Sequence, residues 1–191
     1  ISIPEKQVGS SIMPGKINEI CLHFVNRREV GIFNTSTFDY KVIPVQSKLA
    51  KQSRQESRLW KDSKGAIYIT VWPYGILKYN EQVSAFLDYN GFQLPAGWIP
   101  TSFMHEDTVE QRIWFPCGDS GLAVYDRKTG KTYTQKNNPL NIPVLNVQKK
   151  YSNATEIFID SKRRYWLFSW DTAHYRRCFS EQGELLKDTA G

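Results

Sequence analysis

The sequence predicts an all-β protein, and three observations carry the prediction. Aromatic residues make up 14% of the 191 residues, with six Trp, ten Tyr and ten Phe, a bias that suits pleated, half-buried surfaces. The apolar runs are short and are broken by Gly, Pro, Asn and Asp, the residues of chain reversal. One pattern, an aspartate followed by a polar turn and then an aromatic, returns three times along the chain. Hydrophobic residues form 40% of the total, enough for a core.

The three copies are "WKDSKGAIYITVWPYGILKYN" (60–80), "MHEDTVEQRIWFPCGDSGLAVYD" (104–126) and "FIDSKRRYWLFSWDTAHYRRC" (158–178). Asp62, Asp107 and Asp160 precede Tyr68, Trp114 and Trp166 by six, seven and six residues. Seven residues beyond each aromatic stand Gly75, Gly121 and Ala173, and four further on stand Tyr79, Tyr125 and Arg177. The aromatics are 46 and 52 residues apart, close to the length of a four-stranded propeller blade.

Each copy reads as two strands joined by a turn. In the first, Asp62-Ser63-Lys64-Gly65 makes the reversal, because Asp bonds its own backbone two residues on and Gly accepts positive φ. "AIYITVW" then reads as a strand apolar on both faces, as a sheet packed between two others requires. "GILKYN" and "GLAVYD" supply the next strand, each entered through glycine. Residues 19–45 form a weaker copy near the amino end, with its turn at Asn26-Arg27-Arg28. "QSKLAKQSRQES" (46–57) reads as a loop or a short helix, and "FQLPAGWIP" and "QKNNPLNIPVLN" read as chain reversals. The expected organisation is therefore a single repeat module. It has about four four-stranded β-propeller blades, at roughly 15–57, 58–102, 103–150 and 151–191, which either form part of a larger ring or close on themselves.

Asp107, Trp114, Gly121, Leu122, Tyr125 and Asp126 set out a pattern of Asp, turn, Trp, then Gly-Leu-x-x-Tyr-Asp. Asp62, Tyr68, Gly75, Ile76, Tyr79 and Asn80 support it, and the third copy keeps Asp160 and Trp166. This pattern resembles the two-component-regulator propeller repeat of the periplasmic sensor regions of hybrid histidine kinases, over roughly residues 58–180. The resemblance implies a β-propeller on the periplasmic or extracellular side of the membrane. It would sense a ligand, often a glycan fragment, and signal to a kinase through segments not included in this chain.

Net charge is +6, with basic clusters at Arg27-Arg28, Lys149-Lys150, Lys162-Arg163-Arg164 and Arg176-Arg177. These read as solvated turns more than as a nucleic-acid face, since Lys162-Arg163-Arg164 falls on an expected hairpin turn. No apolar stretch reaches the roughly 18 residues of a membrane span, so membrane attachment would come only through other segments. Cys21, Cys117 and Cys178 are widely spaced and read as buried thiols, one disulfide being open to them in an oxidising compartment. No spacing of His and Cys suits a metal, and no cofactor is expected.

"CGDSGLAVYD" (117–126) contains the Gly-Asp-Ser-Gly of trypsin-like proteases, and "DTAHYRRC" (171–178) superficially resembles their histidine segment. Here the histidine follows the serine, Leu122 replaces the second glycine, and the repeat accounts for every residue from 117 to 126. Ser120 therefore reads as a turn residue. Carboxylate pairs for glycoside hydrolysis can be drawn from Glu106, Asp107, Glu110 or Asp119, but turn aspartates are expected on structural grounds.

For binding, aromatics outside the repeat's fixed slot are the candidates, because a planar ring stacks on the apolar face of a sugar. These are Trp72, Tyr74, Trp98 and Trp170, with Asp119 and Asp171 each five residues after a repeat Trp and able to bond hydroxyls. The competing assignment for each Trp is packing between blades. The expected function is a non-catalytic sensor or ligand-binding segment whose partners are an oligosaccharide or other small ligand. Further blades of the same parent protein, or a second chain, would complete the ring. A propeller-borne carbohydrate-active enzyme and a protein-binding scaffold stand as alternatives.

Overall fold

The computed structural model describes residues 9–24, 29–47, 56–101, 104–148, 153–171, 173 and 175–189. The chain divides into two compact units, Ile1–Tyr89 and Asn90–Gly191. The expected turn at Asn26-Arg27-Arg28, the pair Lys149-Lys150, most of the 46–57 connection and His174 lie outside the described residues.

In the first unit β1 (Gly9–Pro14), β2 (Glu19–Phe24), β3 (Glu29–Asn34) and β4 (Tyr40–Gln46) pair in chain order as an antiparallel meander. A second meander follows, made of β5 (Glu56–Lys61), β6 (Ile67–Trp72), β7 (Gly75–Asn80) and β8 (Ala85–Asp88). Val45 and Gln46 of β4 pair in parallel with Phe86 and Leu87 of β8, and β1 runs beside β5, so the two sheets form one nearly closed eight-stranded sheet. Between them lies a core that includes Cys21, Val30, Ile43, Leu59, Ile69 and Leu77.

The second unit holds two separate four-stranded meanders. Its sheets are β9 (His105–Asp107), β10 (Arg112–Pro116), β11 (Leu122–Asp126) and β12 (Lys131–Thr134), then β13 (Glu156–Ile159), β14 (Tyr165–Phe168), β15 (Arg176–Phe179) and β16 (Leu185–Thr189). Trp114, Leu122 and Val124 of one sheet meet Ile157, Leu167 and Phe179 of the other in a shared core. The fold is thus all-β, built from four four-stranded blades of the propeller type. One helix departs from the expected reversals in "QKNNPLNIPVLN": α1 (Pro143–Gln148) buries Val144 and Leu145. Proline suits its first turn, and the Asn138 side chain holds its start by accepting from Ile142 N–H at 2.9 Å and donating to Ile142 O at 2.9 Å.

The repeat's aspartates each cap the first hairpin of a blade. Asp62 Oδ1 accepts from the N–H groups of Lys64 and Ala66, Asp107 Oδ1 from those of Val109 and Glu110, and Asp160 Oδ1 from those of Lys162 and Arg164. The structure also explains the irregular spacing. Asp107 pairs directly with Arg112 across a four-residue turn, whereas Asp62 and Asp160 close three-residue turns by donating N–H to Ala66 O and Arg164 O. In register the aromatics are equivalent, with Tyr68, Trp114 and Trp166 facing Trp60, His105 and Phe158, each two residues before its aspartate.

The basic triplet is not simply a solvated turn. Arg163, at φ +61, fills the position that Gly65 fills at φ +83 in the β5–β6 turn. From there its guanidinium grips Asp107 at 2.8 and 2.6 Å, while Arg164 holds Asp160 at 2.7 Å. Lys162 alone of the three is without an ion pair among the described residues.

Candidate functional site

An antiparallel meander gathers its first and third turns at one end and its middle turn at the other. The middle turns carry most of the candidate residues. Trp72 closes β6 and is 45% exposed, and Tyr74, half-buried on the same β6–β7 turn, packs its ring against the core of the first unit. In the second unit Asp119 is exposed on the β10–β11 turn, and Trp170, 76% exposed, opens the β14–β15 turn with Asp171.

The turn 117–121 is built from backbone geometry. Cys117 N–H donates to Gly121 O at 2.8 Å, Ser120 N–H to Cys117 O at 3.1 Å, and Gly121 N–H to Gly118 O at 2.9 Å. Gly118 and Gly121 take φ of +54 and +95, which glycine alone adopts freely, and a Cβ on Gly121 would lie 2.2 Å from the Gln135 amide. Ser120 is a turn residue, with its hydroxyl donating to Gly97 O at 3.2 Å.

A short strap, residues 153–155, joins this turn to the one bearing Trp170. Gly118 and Ala154 exchange two backbone hydrogen bonds at 2.9 and 3.1 Å. The neighbouring Asn153 side chain accepts from Trp170 N–H at 3.1 Å, and the Thr101 hydroxyl lies within donating distance of Pro116 O at 3.2 Å and Thr155 O at 3.4 Å. Asp171 Oδ1 accepts from Ala173 N–H at 2.9 Å. One end of the second unit therefore brings together the segments of Asp119, Trp170 and Asp171, and the Ser120–Gly97 bond ties in the segment of Trp98. Trp98 itself is only 8% exposed, so its ring serves packing. Asn153, noticeable in the sequence only as part of an Asn-x-Thr triplet, is the residue that sequence reasoning missed.

The opposite end of the first unit holds a cleft of about 600 Å³, where turns of both its sheets meet. Lys16, Lys41, Lys61 and Lys64 line it together with Glu19, Asp39 and Glu81. Ile32, Ile67, Tyr79 and the buried Cys21 supply its apolar lining. Burial, with Glu19 nearby, pushes the Cys21 thiol upward, against the opposing pull of Lys61.

The acidic residues that could have formed a catalytic pair are mostly engaged. Asp107 is held by Arg163, Glu106 meets Arg127 at 3.0 Å, and Glu110 meets Arg112 at 3.6 Å. Burial pushes the Asp107 carboxyl upward, but hydrogen bonds from Arg163 and from Glu110 and Val109 N–H, with the Arg163 charge, outweigh it and leave the group below its ordinary value. His23 is brought down to about 4 by burial, and His105, also lowered by burial, sets its ring edge-on to Phe158 at 5.7 Å. All three cysteines are buried free thiols. No helix among the described residues is long and apolar enough to cross a membrane.

No family model and no curated protein matches the chain. Solved structures do match in fold. The extracellular domain of a hybrid two-component system from B. thetaiotaomicron is 13% identical with a TM-score of 0.61, over 94% of this chain and 24% of that one. Virginiamycin B lyase from Staphylococcus aureus is 13% identical with a TM-score of 0.63, over 99% of this chain and 58% of that one. Hydrazine synthase of Kuenenia stuttgartiensis is 9% identical with a TM-score of 0.60, over 100% of this chain and 53% of that one. The chain spans about a quarter of the length of the two-component extracellular domains it matches.

Proposed function

We propose that the chain is a ligand-binding segment of an extracytoplasmic sensor, supplying blades to a larger propeller and contacting ligand through its middle turns. The observation that carries this reading is the exposed Trp170 beside Asp171, held by the 153–155 strap next to the turn of Asp119. An indole with three-quarters of its surface in water has little packing role, whereas it offers a flat apolar face to a sugar ring. Nearby carboxylates accept from hydroxyls. Trp72, at the matching place in its own blade, repeats the feature in the first unit. The fold shared with extracellular domains of two-component systems supports the sensor setting and an extracytoplasmic location, while the oligosaccharide class rests on the exposed ring and its neighbouring carboxylates.

The test is a thermal-shift and calorimetric screen against neutral plant and host oligosaccharides, with Trp170→Ala and Asp119→Asn as controls. Binding that is lost in both variants while their melting temperatures stay at the wild-type value supports the reading. Binding unchanged by both, or conversion of a bound glycan to product, overturns it in favour of another face or of an enzyme.

A further inference from the structure

The cleft in the first unit is a second site, at the end of the sheets opposite Trp72. Its four lysines come from four places in the chain: Lys16 on the β1–β2 turn, Lys41 in β4, Lys61 at the end of β5 and Lys64 on the β5–β6 turn. Surface lysines are commonly spread apart or paired with acids. Here they line one concavity, and among the described residues none of the four is within ion-pair distance of a carboxylate.

Lys61 is fixed in place. Its ammonium donates to Pro14 O at 3.1 Å and Gly15 O at 2.6 Å, bonds that orient the charge without neutralising it and leave its third proton unused. Two of the cleft's acids are committed to their own turns, Glu19 accepting from Lys16 N–H at 3.1 Å and Asp39 from the Thr37 hydroxyl at 2.6 Å. They retain lone pairs for further donors. Ile32, Ile67 and Tyr79 give the same cleft an apolar wall. Its volume lies in the range of small-molecule sites.

From this arrangement we infer that the cleft binds a hydroxylated organic anion, a sugar-sized ring bearing a carboxylate or a sulfate. The anionic group sits among Lys41, Lys61 and Lys64. The ring lies on the apolar wall, and its hydroxyls donate to Asp39 and Glu81. A neutral sugar leaves the lysine charges unmatched, and a bare inorganic anion leaves the wall and the acids unused.

Galacturonate and glucuronate oligomers and sulfated disaccharides are titrated separately against the chain by calorimetry, with the matching neutral oligosaccharides and inorganic sulfate as references. At least one acidic series binds, its affinity falls as salt rises, and Lys41→Ala with Lys64→Ala weakens it roughly tenfold or more. Both lysines are exposed, so the double variant keeps the wild-type melting temperature, whereas Trp72→Ala and Trp170→Ala leave this binding intact. The carboxylated and sulfated arms identify which anion is preferred. Equal binding of neutral sugars, binding by inorganic sulfate alone, no binding of any acid, or loss on the tryptophan variants but not the lysine variant would overturn the inference. The tryptophan variants also keep this outcome separate from that of the middle-turn site.

Discussion

The second unit contains two middle turns that occupy the same place in their blades and are built in opposite ways. The 117–121 turn is closed by three internal backbone bonds, two positive-φ glycines, a bridge to Ala154 and a hydroxyl bond to Gly97. The turn that starts at Trp170 has Ala173 where the glycine would be, an Asp171 bond to Ala173 N–H, and a large ring in water. In the 117–121 turn the glycine is part of a closed scaffold, whereas the turn that starts at Trp170, with Ala173 at that position, carries an exposed side chain.

The largest expected effect of a single change is on the scaffold turn. Gly121→Ala places a Cβ against the Gln135 amide at φ +95 and displaces the acceptor of Leu122 N–H, at a cost of about 3 kcal/mol in urea unfolding. Ala173→Gly, the same exchange reversed in the other turn, changes stability by less than about 1 kcal/mol. Equal effects would erase the distinction between the two turns.

A second contrast lies in the capping aspartates of the same two blades. Asp160 bonds within its own hairpin, to Arg164 at 2.7 Å and to Trp166 Nε1 at 3.0 Å, and these bonds hold its carboxyl well below the ordinary range. Asp107 bonds across blades, to Arg163. Asp107→Asn breaks a largely buried bidentate pair and costs about 2 kcal/mol, whereas Asp160→Asn has the smaller effect because water reaches its partner.

Acid sharpens this contrast. The folded-state pKa of Asp107 is lowered, so its contribution is fully present above the unfolded carboxylate value of about 3.9 and is lost as pH falls through the folded one. The melting-temperature gap between wild type and Asp107→Asn therefore stays constant above about pH 5 and shrinks below pH ~4. A gap that widens in acid would contradict the assignment.

Much of the local structure was legible because it is short-range. Asp62, Asp107 and Asp160 announce their turns through bonds to backbone two to four residues away, and the aromatic that follows marks the second strand. The seven-residue gap in the middle copy follows from one extra residue in a turn. What stayed hidden depends on distant partners. The Arg163–Asp107 pair joins residues 56 apart, and it turned a triplet that reads as solvated into a link between blades. Trp98 and Trp170 look alike in sequence, yet one is buried and the other exposed, because connection packing decides it. The lysine cleft draws on four separate segments, none of which is distinctive by itself. The helix α1 is too short to show a period.

The smallest stability effect expected is that of Trp170→Ala, below about 0.5 kcal/mol, since the ring leaves little surface behind. This makes the paired comparison of Trp170→Ala and Gly121→Ala, each measured for unfolding and for binding to the best oligosaccharide of the neutral screen, the most direct test. The account predicts that Gly121→Ala loses stability, whereas Trp170→Ala keeps its stability and loses binding. A Trp170→Ala variant that unfolds as readily as Gly121→Ala, or that binds like the wild type, would contradict it.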